Sequence, residues 1–266
     1  MMSDQTEQCP LNQIYKTDRT LETNPSVSSA MNQLTKFAED NKFQRVLPDG
    51  RIRLKGRIYD DAVLCATPGL DFEGKLVCEL GGRDGIFGAW MTQFASKVHV
   101  SDYFEEWGKG TSDDLGSFEH WSNIWKQAAP NPERLICEIQ DITDLTYPDN
   151  MFDIVVCTSV VEHIFPQKGF MGDMIAIREM ARILKPGGFL LLSTDMTGGP
   201  CSVWHSGTFY YTEVDLFDRL INPSRCELVG SYNFDFNDPH NSEVHDVGPV
   251  PSCTSVVFAL QKPPRR

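Results

Sequence analysis

The 266-residue chain contains no apolar run approaching the roughly 20 residues needed to cross a bilayer, so integral membrane contact is excluded. Its first residues, Met1 to Glu7, are polar and lead into no apolar stretch, so no secretory leader is expected. Positive charge is scarce: 24 Lys and Arg face 37 Asp and Glu, a formal charge of -13. A field of that sign repels phosphate backbones, so nucleic acid is not expected as a partner. None of the eight cysteines forms a Cys-x-x-Cys pair and no His cluster completes a zinc pattern, so no metal site is expected. Cys78, Cys137 and Cys157 lie inside apolar runs, where a free thiol behaves as a small hydrophobe. Repeats and low-complexity segments are also missing. The expectation is a cytoplasmic protein with reduced cysteines.

Core-forming residues are present in quantity, with 41% hydrophobic and 11% aromatic side chains. Residues 1–25 are polar and aperiodic. From Ser26 to about Phe43, Val27, Met31, Leu34 and Phe37 recur at helical spacing. Arg51–Tyr59 shows no clear pattern. From Lys75 onward apolar strands alternate with helices. Strands are expected at Lys75–Leu80, Lys97–Asp102, Leu135–Gln140, Phe152–Ser159 and Phe189–Thr194, with helices at Ile86–Ser96 and Met171–Leu184. A further helix near Thr212–Leu220 precedes two strands, Cys226–Phe234 and Ser252–Leu260, joined as a long hairpin. Strands that are apolar throughout and separated by helices indicate a parallel sheet covered on both faces. The fold class is therefore α/β. Residues 1–70 read as an N-terminal arm with a helical lid, and residues 71–266 as the main domain.

The first strand of that region ends in Glu79-Leu80-Gly81-Gly82-Arg83-Asp84-Gly85, directly before a helix. Glycines there let a backbone approach a ligand at the carboxyl edge of the sheet, although a tight turn that binds nothing uses the same residues. The run is a poor dinucleotide fingerprint, because Arg83 stands where a glycine is required. The second strand ends at Asp102, 21 residues after Gly81. A carboxylate in that place accepts hydrogen bonds from two ribose hydroxyls, or else caps a helix. Together the two features indicate a nucleoside-bearing cofactor without saying which.

Taken with three later segments, the sequence resembles the class I S-adenosylmethionine (SAM)-dependent methyltransferases, in particular the quinone-biosynthesis and small-molecule branch. The later segments are Asp141–Asp153, Ile154–Ile164 and Arg178–Phe189, the last containing Lys185-Pro186-Gly187-Gly188. The resemblance implies a Rossmann-like, mostly parallel sheet of seven strands with an antiparallel C-terminal strand. It implies transfer of the SAM methyl to an oxygen or nitrogen of a small-molecule acceptor. By position, Glu79, Gly81, Gly82, Arg83 and Gly85 would meet the amino-acid end of SAM. Asp102 would meet the ribose and Tyr103 the adenine face. Asp141 and Ile142 would hold the adenine edge, and Thr158 would line the methionine floor. Arg83 departs from the family's usual glycine. Lys185–Gly188 is expected to be a structural turn.

His163 follows the fourth strand on the acceptor's side, which makes it the candidate general base, with packing as its other reading. His205, His240 and His245 fall in later loops on the same edge. The aromatics between Tyr103 and Glu133 (Phe104, Trp107, Phe118, Trp121 and Trp125) either fill a core or wall the acceptor. The rival functions are a SAM-binding scaffold without turnover and a nicotinamide-dependent oxidoreductase.

Overall fold

The computed structural model describes residues 13–14, 24–46, 52–54, 57–83, 85–104, 117–164, 169–236 and 245–265. Asp84, Trp107 and His240 lie outside them. In chain order the elements begin with β1 (Gln13–Ile14), α1 (Pro25–Asp40), β2 (Gln44–Val46), β3 (Ile52–Leu54) and α2 (Ile58–Cys65). Then come β4 (Leu76–Leu80), α3 (Phe87–Met91), β5 (Lys97–Asp102), α4 (Phe118–Ala128) and β6 (Leu135–Ile139). They are followed by β7 (Phe152–Thr158), α5 (Val161–Ile164), α6 (Gly172–Ile183), β8 (Leu184–Thr197) and the hairpin β9 (Val203–His205) and β10 (Thr208–Tyr210). A helical run, α7, passes from Glu213–Asp215 through a π-helical stretch, Leu216–Ile221, to Asn222–Ser224. The short strands β11 (Glu227–Leu228) and β12 (His245–Val247) precede the long β13 (Val250–Gln261).

The central strands are apolar on both sides, and their alternation builds two cores. In β7, Ile154 and Val156 enter one core while Phe152, Val155 and Cys157 enter the other. In β13, Val257 and Ala259 oppose Val256, Phe258 and Leu260 in the same way. Helices α1 to α4 close the first core with Leu34, Leu64, Phe87 and Trp125. Helices α5 to α7 close the second with Val161, Met180 and Leu220. The N-terminal helices therefore share a core with the sheet. Asn24 starts α1 by accepting the Val27 N–H at 3.1 Å, with Pro25 at the first helical position.

The sheet order is β6-β5-β4-β7-β8-β13, with β1, β11 and β12 added along β13. Pairings from β6 to β8 are parallel, and β13 runs antiparallel to β8 from Cys253 opposite Thr197 to Gln261 opposite Phe189. The expected seven strands are β4 to β8, β11 and β13.

Several boundaries differ from expectation for identifiable reasons. The patternless stretch Arg51–Tyr59 contains β3 and the start of α2, and α2 buries Asp60 and Asp61 within its apolar face. The helix expected over Ile86–Ser96 is only the five residues of α3. The strand expected over Cys226–Phe234 is only Glu227–Leu228, since Gly230 at φ +83° turns the chain away. Lys185–Gly188 does not interrupt β8 but bulges within it. Leu184 pairs with Phe152 and Phe189 with Ile154, with Gly187 at φ +80° between them. Lys185 secures the bulge by an ion pair to Asp153 at 2.8 Å.

Helices α6 and α7 are joined by a buried ion pair. Arg219 donates to both Asp173 oxygens at 2.8 Å and to the Phe170 carbonyl, and Tyr211 adds its hydroxyl to Asp173 at 3.0 Å. Asp173→Ala leaves that guanidinium buried without its counter-charge. It is expected to cost about 3–5 kcal/mol, read as a lowered midpoint in urea unfolding.

Candidate active site

Because β4, β5 and β7 are parallel, their carboxyl ends reach the same edge of the sheet. There Gly81 adopts φ +74°, and a Cβ on it would collide with Val160, which follows β7. Glu79 lies beneath the turn, 4% exposed, with Oε2 accepting the Gly88 N–H at 2.8 Å. A Cβ at Gly88 would strike that same oxygen. The turn's other amides are also engaged. Gly81 and Gly82 both donate to the Ser101 carbonyl, at 2.8 and 3.0 Å, and Gly85 donates to Gly82. Trp125 of α4 donates its indole N–H to the Gly85 carbonyl at 3.0 Å. The glycines thus let the chain fold tightly over a carboxylate, and their N–H groups bind protein oxygens.

Asp102, at the end of β5, is oriented by backbone donors. Its Oδ2 accepts the Arg83 N–H at 3.2 Å, and its Oδ1 accepts the Tyr103 N–H at 2.8 Å. The Arg83 side chain folds back over the same carboxylate, Nε lying 3.7 Å from Oδ1, with its guanidinium 5.3 Å from the Phe104 ring centre. Gln140 donates its N–H to the Asp102 carbonyl, which brings the end of β6 alongside. Next in the chain, Asp141 accepts the Thr143 N–H and hydroxyl at 2.9 and 2.6 Å, with Ile142 buried beside it. Thr158 is buried at the end of β7. Gly81, Gly82, Arg83, Asp102 and Asp141 thus form one bonded edge, with Gly85 and Glu79 bracing it from behind.

Arg57, just before α2, escaped sequence reasoning. Its Nη2 donates to the Gly81 carbonyl at 3.1 Å and the Arg83 carbonyl at 3.4 Å, while Nη1 is buried with no partner among the described residues. A lone Arg in a patternless stretch gives no signal, since only the fold brings it to the glycine turn. Burial pushes the Glu79 carboxyl up to about 7, against the opposing pull of Arg57 and of the Gly88 N–H.

On the neighbouring side, His163 of α5 donates from Nδ1 to the Gly207 carbonyl at 2.8 Å, a backbone oxygen that can only accept. In the neutral ring that bond puts the proton on Nδ1. Gly207 is in place because Ser206 and Gly207, at φ +50° and +87°, form the two-residue turn between β9 and β10. Buried Glu162 places Oε1 3.9 Å from His163 Nε2. His205 contacts Ser206, His245 pairs with Cys253 in β12, and His99 is enclosed by Glu138, Tyr147 and Phe152. Trp121 and Trp125 are core residues, and Phe104 and Phe118 pack edge to face beside them.

Residues 79–192 match a family described as a methyltransferase domain. No curated protein matches the sequence. Among solved structures, the chain is similar to the cyclase SpnF, at 14% identity, covering 90% of this chain and 97% of that one with a TM-score of 0.55. It is similar to a putative methyltransferase from Bacillus halodurans, at 16% identity over 77% and 99% of the two chains, with a TM-score of 0.52. A third is the 1,6-didemethyltoxoflavin N1-methyltransferase of Burkholderia thailandensis, solved with S-adenosylhomocysteine, at 16% identity over 89% and 87%, with a TM-score of 0.52. The structural likenesses establish the fold, and the domain match gives the chemistry. The chain carries a class I SAM-dependent methyltransferase domain. Its cofactor is SAM and its reaction is SAM-dependent methyl transfer.

The pH dependence of stability follows from Glu79. Its folded value near 7 exceeds the ordinary 4.5, so the folded state holds a proton that the unfolded state has lost between those values. Stability is therefore expected to fall as pH rises from about 4.5 to 7 and to level off above. In Glu79→Gln the decline is expected to be shallower in urea titrations across that range.

Proposed function

We propose that this chain transfers the methyl group of SAM to an oxygen or nitrogen of a small-molecule acceptor, with His163 as general base. SAM supplies a methyl carbon activated by a sulfonium. The chain's residues fit that cofactor, with an oriented carboxylate at the end of β5, an apolar wall at Ile142, and the unsatisfied Arg57 Nη1 facing the glycine turn. In this reading Asp102 holds the ribose hydroxyls, Tyr103 and Ile142 flank the adenine, and Asp141 accepts from its amino group. Arg57 meets the carboxylate of the amino-acid end, since the amides of Gly81, Gly82, Arg83 and Gly85 already donate within the protein. Glu79, Gly81, Gly82 and Gly85 shape the turn, Arg83 steadies Asp102, and Thr158 lines the floor.

The observation that carries the acceptor side is the bond from His163 Nδ1 to the Gly207 carbonyl. It holds the ring at the end of α5, the helix that follows β7. As the acceptor's nucleophile would bond to the methyl carbon and the carbon–sulfur bond would break to release S-adenosylhomocysteine, His163 Nε2 would take the nucleophile's proton and its half-buried ring would pass it to solvent. Residues 1–70 supply the cover that carries Arg57, and residues 71–266 supply the rest. No helix among the described residues is long and apolar enough to cross a membrane, and seven described cysteines are unpaired. The unpaired thiols support a cytoplasmic enzyme with reduced cysteines.

Two variants separate the roles. Asp102→Ala is expected to weaken SAM binding roughly ten- to a hundredfold in calorimetry, the worth of a charge-assisted hydrogen bond. His163→Ala is expected to bind SAM normally but to release S-adenosylhomocysteine about a hundredfold or more slowly in a screen of hydroxyl and amine acceptors. Weakened SAM binding in His163→Ala with no slower transfer would sink the base assignment.

A further inference from the structure

A buried oxygen without a donor costs stability, so each one calls for a physical reason. Asp61 on α2 is such a case. It is 6% exposed, and its Oδ1 has no hydrogen-bond partner among the described residues. Its surroundings oppose ionisation further. Burial raises its carboxyl well above the usual range, and the nearby carboxylates of Glu79 on β4 and Asp60 on α2 add to this, offset in part by Arg57. A buried Leu or Met would carry none of this cost.

Arg57 explains the arrangement. The Asp61 N–H donates to the Arg57 carbonyl at 2.9 Å, so the two residues stand one helical turn apart. Arg57 reaches the carbonyl of Gly81 with one nitrogen and leaves the other without an acceptor. Because Arg57 bonds the glycine turn and Asp61 stands one turn further along α2, Asp61 lies at the same end of the site. One turn of chain thus presents an unsatisfied cationic donor and an unsatisfied carboxyl oxygen. An α-amino acid carries the complementary pair on a single carbon. The amides of Gly81, Gly82, Arg83, Gly85 and Gly88 serve neither group, because each already donates within the protein.

We propose that Asp61 receives the α-ammonium of the cofactor's amino-acid end, which makes α2 a working part of the cofactor site. The proposal rests on the SAM-dependent reading above. It assigns to Asp61 a ligand contact that lies outside the residues matched by the methyltransferase family.

The test is calorimetry of the full chain with three ligands. They are S-adenosylhomocysteine, 5′-methylthioadenosine, which lacks the amino-acid end, and the S-adenosylhomocysteine analogue lacking only the α-amino group. Asp61→Asn is expected to weaken S-adenosylhomocysteine about tenfold or more and to leave methylthioadenosine within about twofold. The wild-type chain is expected to bind the deaminated analogue about tenfold more weakly than S-adenosylhomocysteine, and the variant to bind the two alike. Equal losses for all ligands, or no loss for any, would overturn the proposal and leave the cofactor reading standing. If the variant does not fold, the wild-type comparison decides alone, and equal affinity for the two homocysteine ligands overturns it. Binding of none of the three by the wild-type chain would bring down the cofactor reading and this proposal together.

Discussion

The carboxylate of Glu79 under the glycine turn sets the geometry of this site. A carboxylate so enclosed needs a donor, and it receives the Gly88 N–H at the start of α3. It also needs room that a Cβ would fill, and a Cβ at Gly88 would meet its Oε2. The chain can close over Glu79 only by bringing β4, the turn and α3 together. The Ser101 carbonyl of β5 then takes the amides of both Gly81 and Gly82. Four consecutive features are locked by one buried group, and the amides of Gly81, Gly82, Arg83 and Gly85 are committed to internal bonds. Recognition of a charged ligand end therefore falls to side chains that arrive from elsewhere.

The sequence reveals what depends on local chemistry at fixed spacing. Glu79 to Gly85, Asp102 and the apolar strands are legible because a parallel strand must be apolar throughout and its terminal turn must be small. Helix α2 is not legible, since Asp60 and Asp61 interrupt its apolar stripe and only the tertiary structure shows them buried. Arg57 is invisible for the same reason. The bulge at Lys185–Gly188 looks like a loop, because proline and glycine read as an end of structure. Here the pairing of β7 with β8 absorbs them. His163 is legible as a candidate, but its tautomer depends on Gly207, 44 residues later, and on a hairpin turn whose Ser-Gly pair is short enough to pass unnoticed.

Charge explains much of what surrounds the cofactor space. The chain carries a net -13, and Asp61, Glu79 and Glu162 are buried, each with its carboxyl raised by burial. Buried carboxylates without full compensation are unfavourable in isolation and favourable beside a cation. A sulfonium with an α-ammonium brings two positive charges to the cofactor space, whereas the thioether left after transfer has lost one.

The parts that distinguish this chain from others of its fold lie outside the matched span of residues 79–192. Within that span sit the turn, Asp102, Asp141 and His163, which any nucleoside cofactor and protic nucleophile require. Outside it sit Arg57 and Asp61, the β9–β10 hairpin that holds His163, and Trp204 and Tyr210 on that hairpin. The hairpin reaches the site only because Ser206 and Gly207 turn it back, and α2 reaches it only because its apolar side shares the core of α1 and the sheet. These two flanking pieces therefore position Arg57 and His163. The hairpin holds His163 while separate bonds, from Gly81 to Ser101, from Arg83 and Tyr103 to Asp102 and from Thr143 to Asp141, order the cofactor edge.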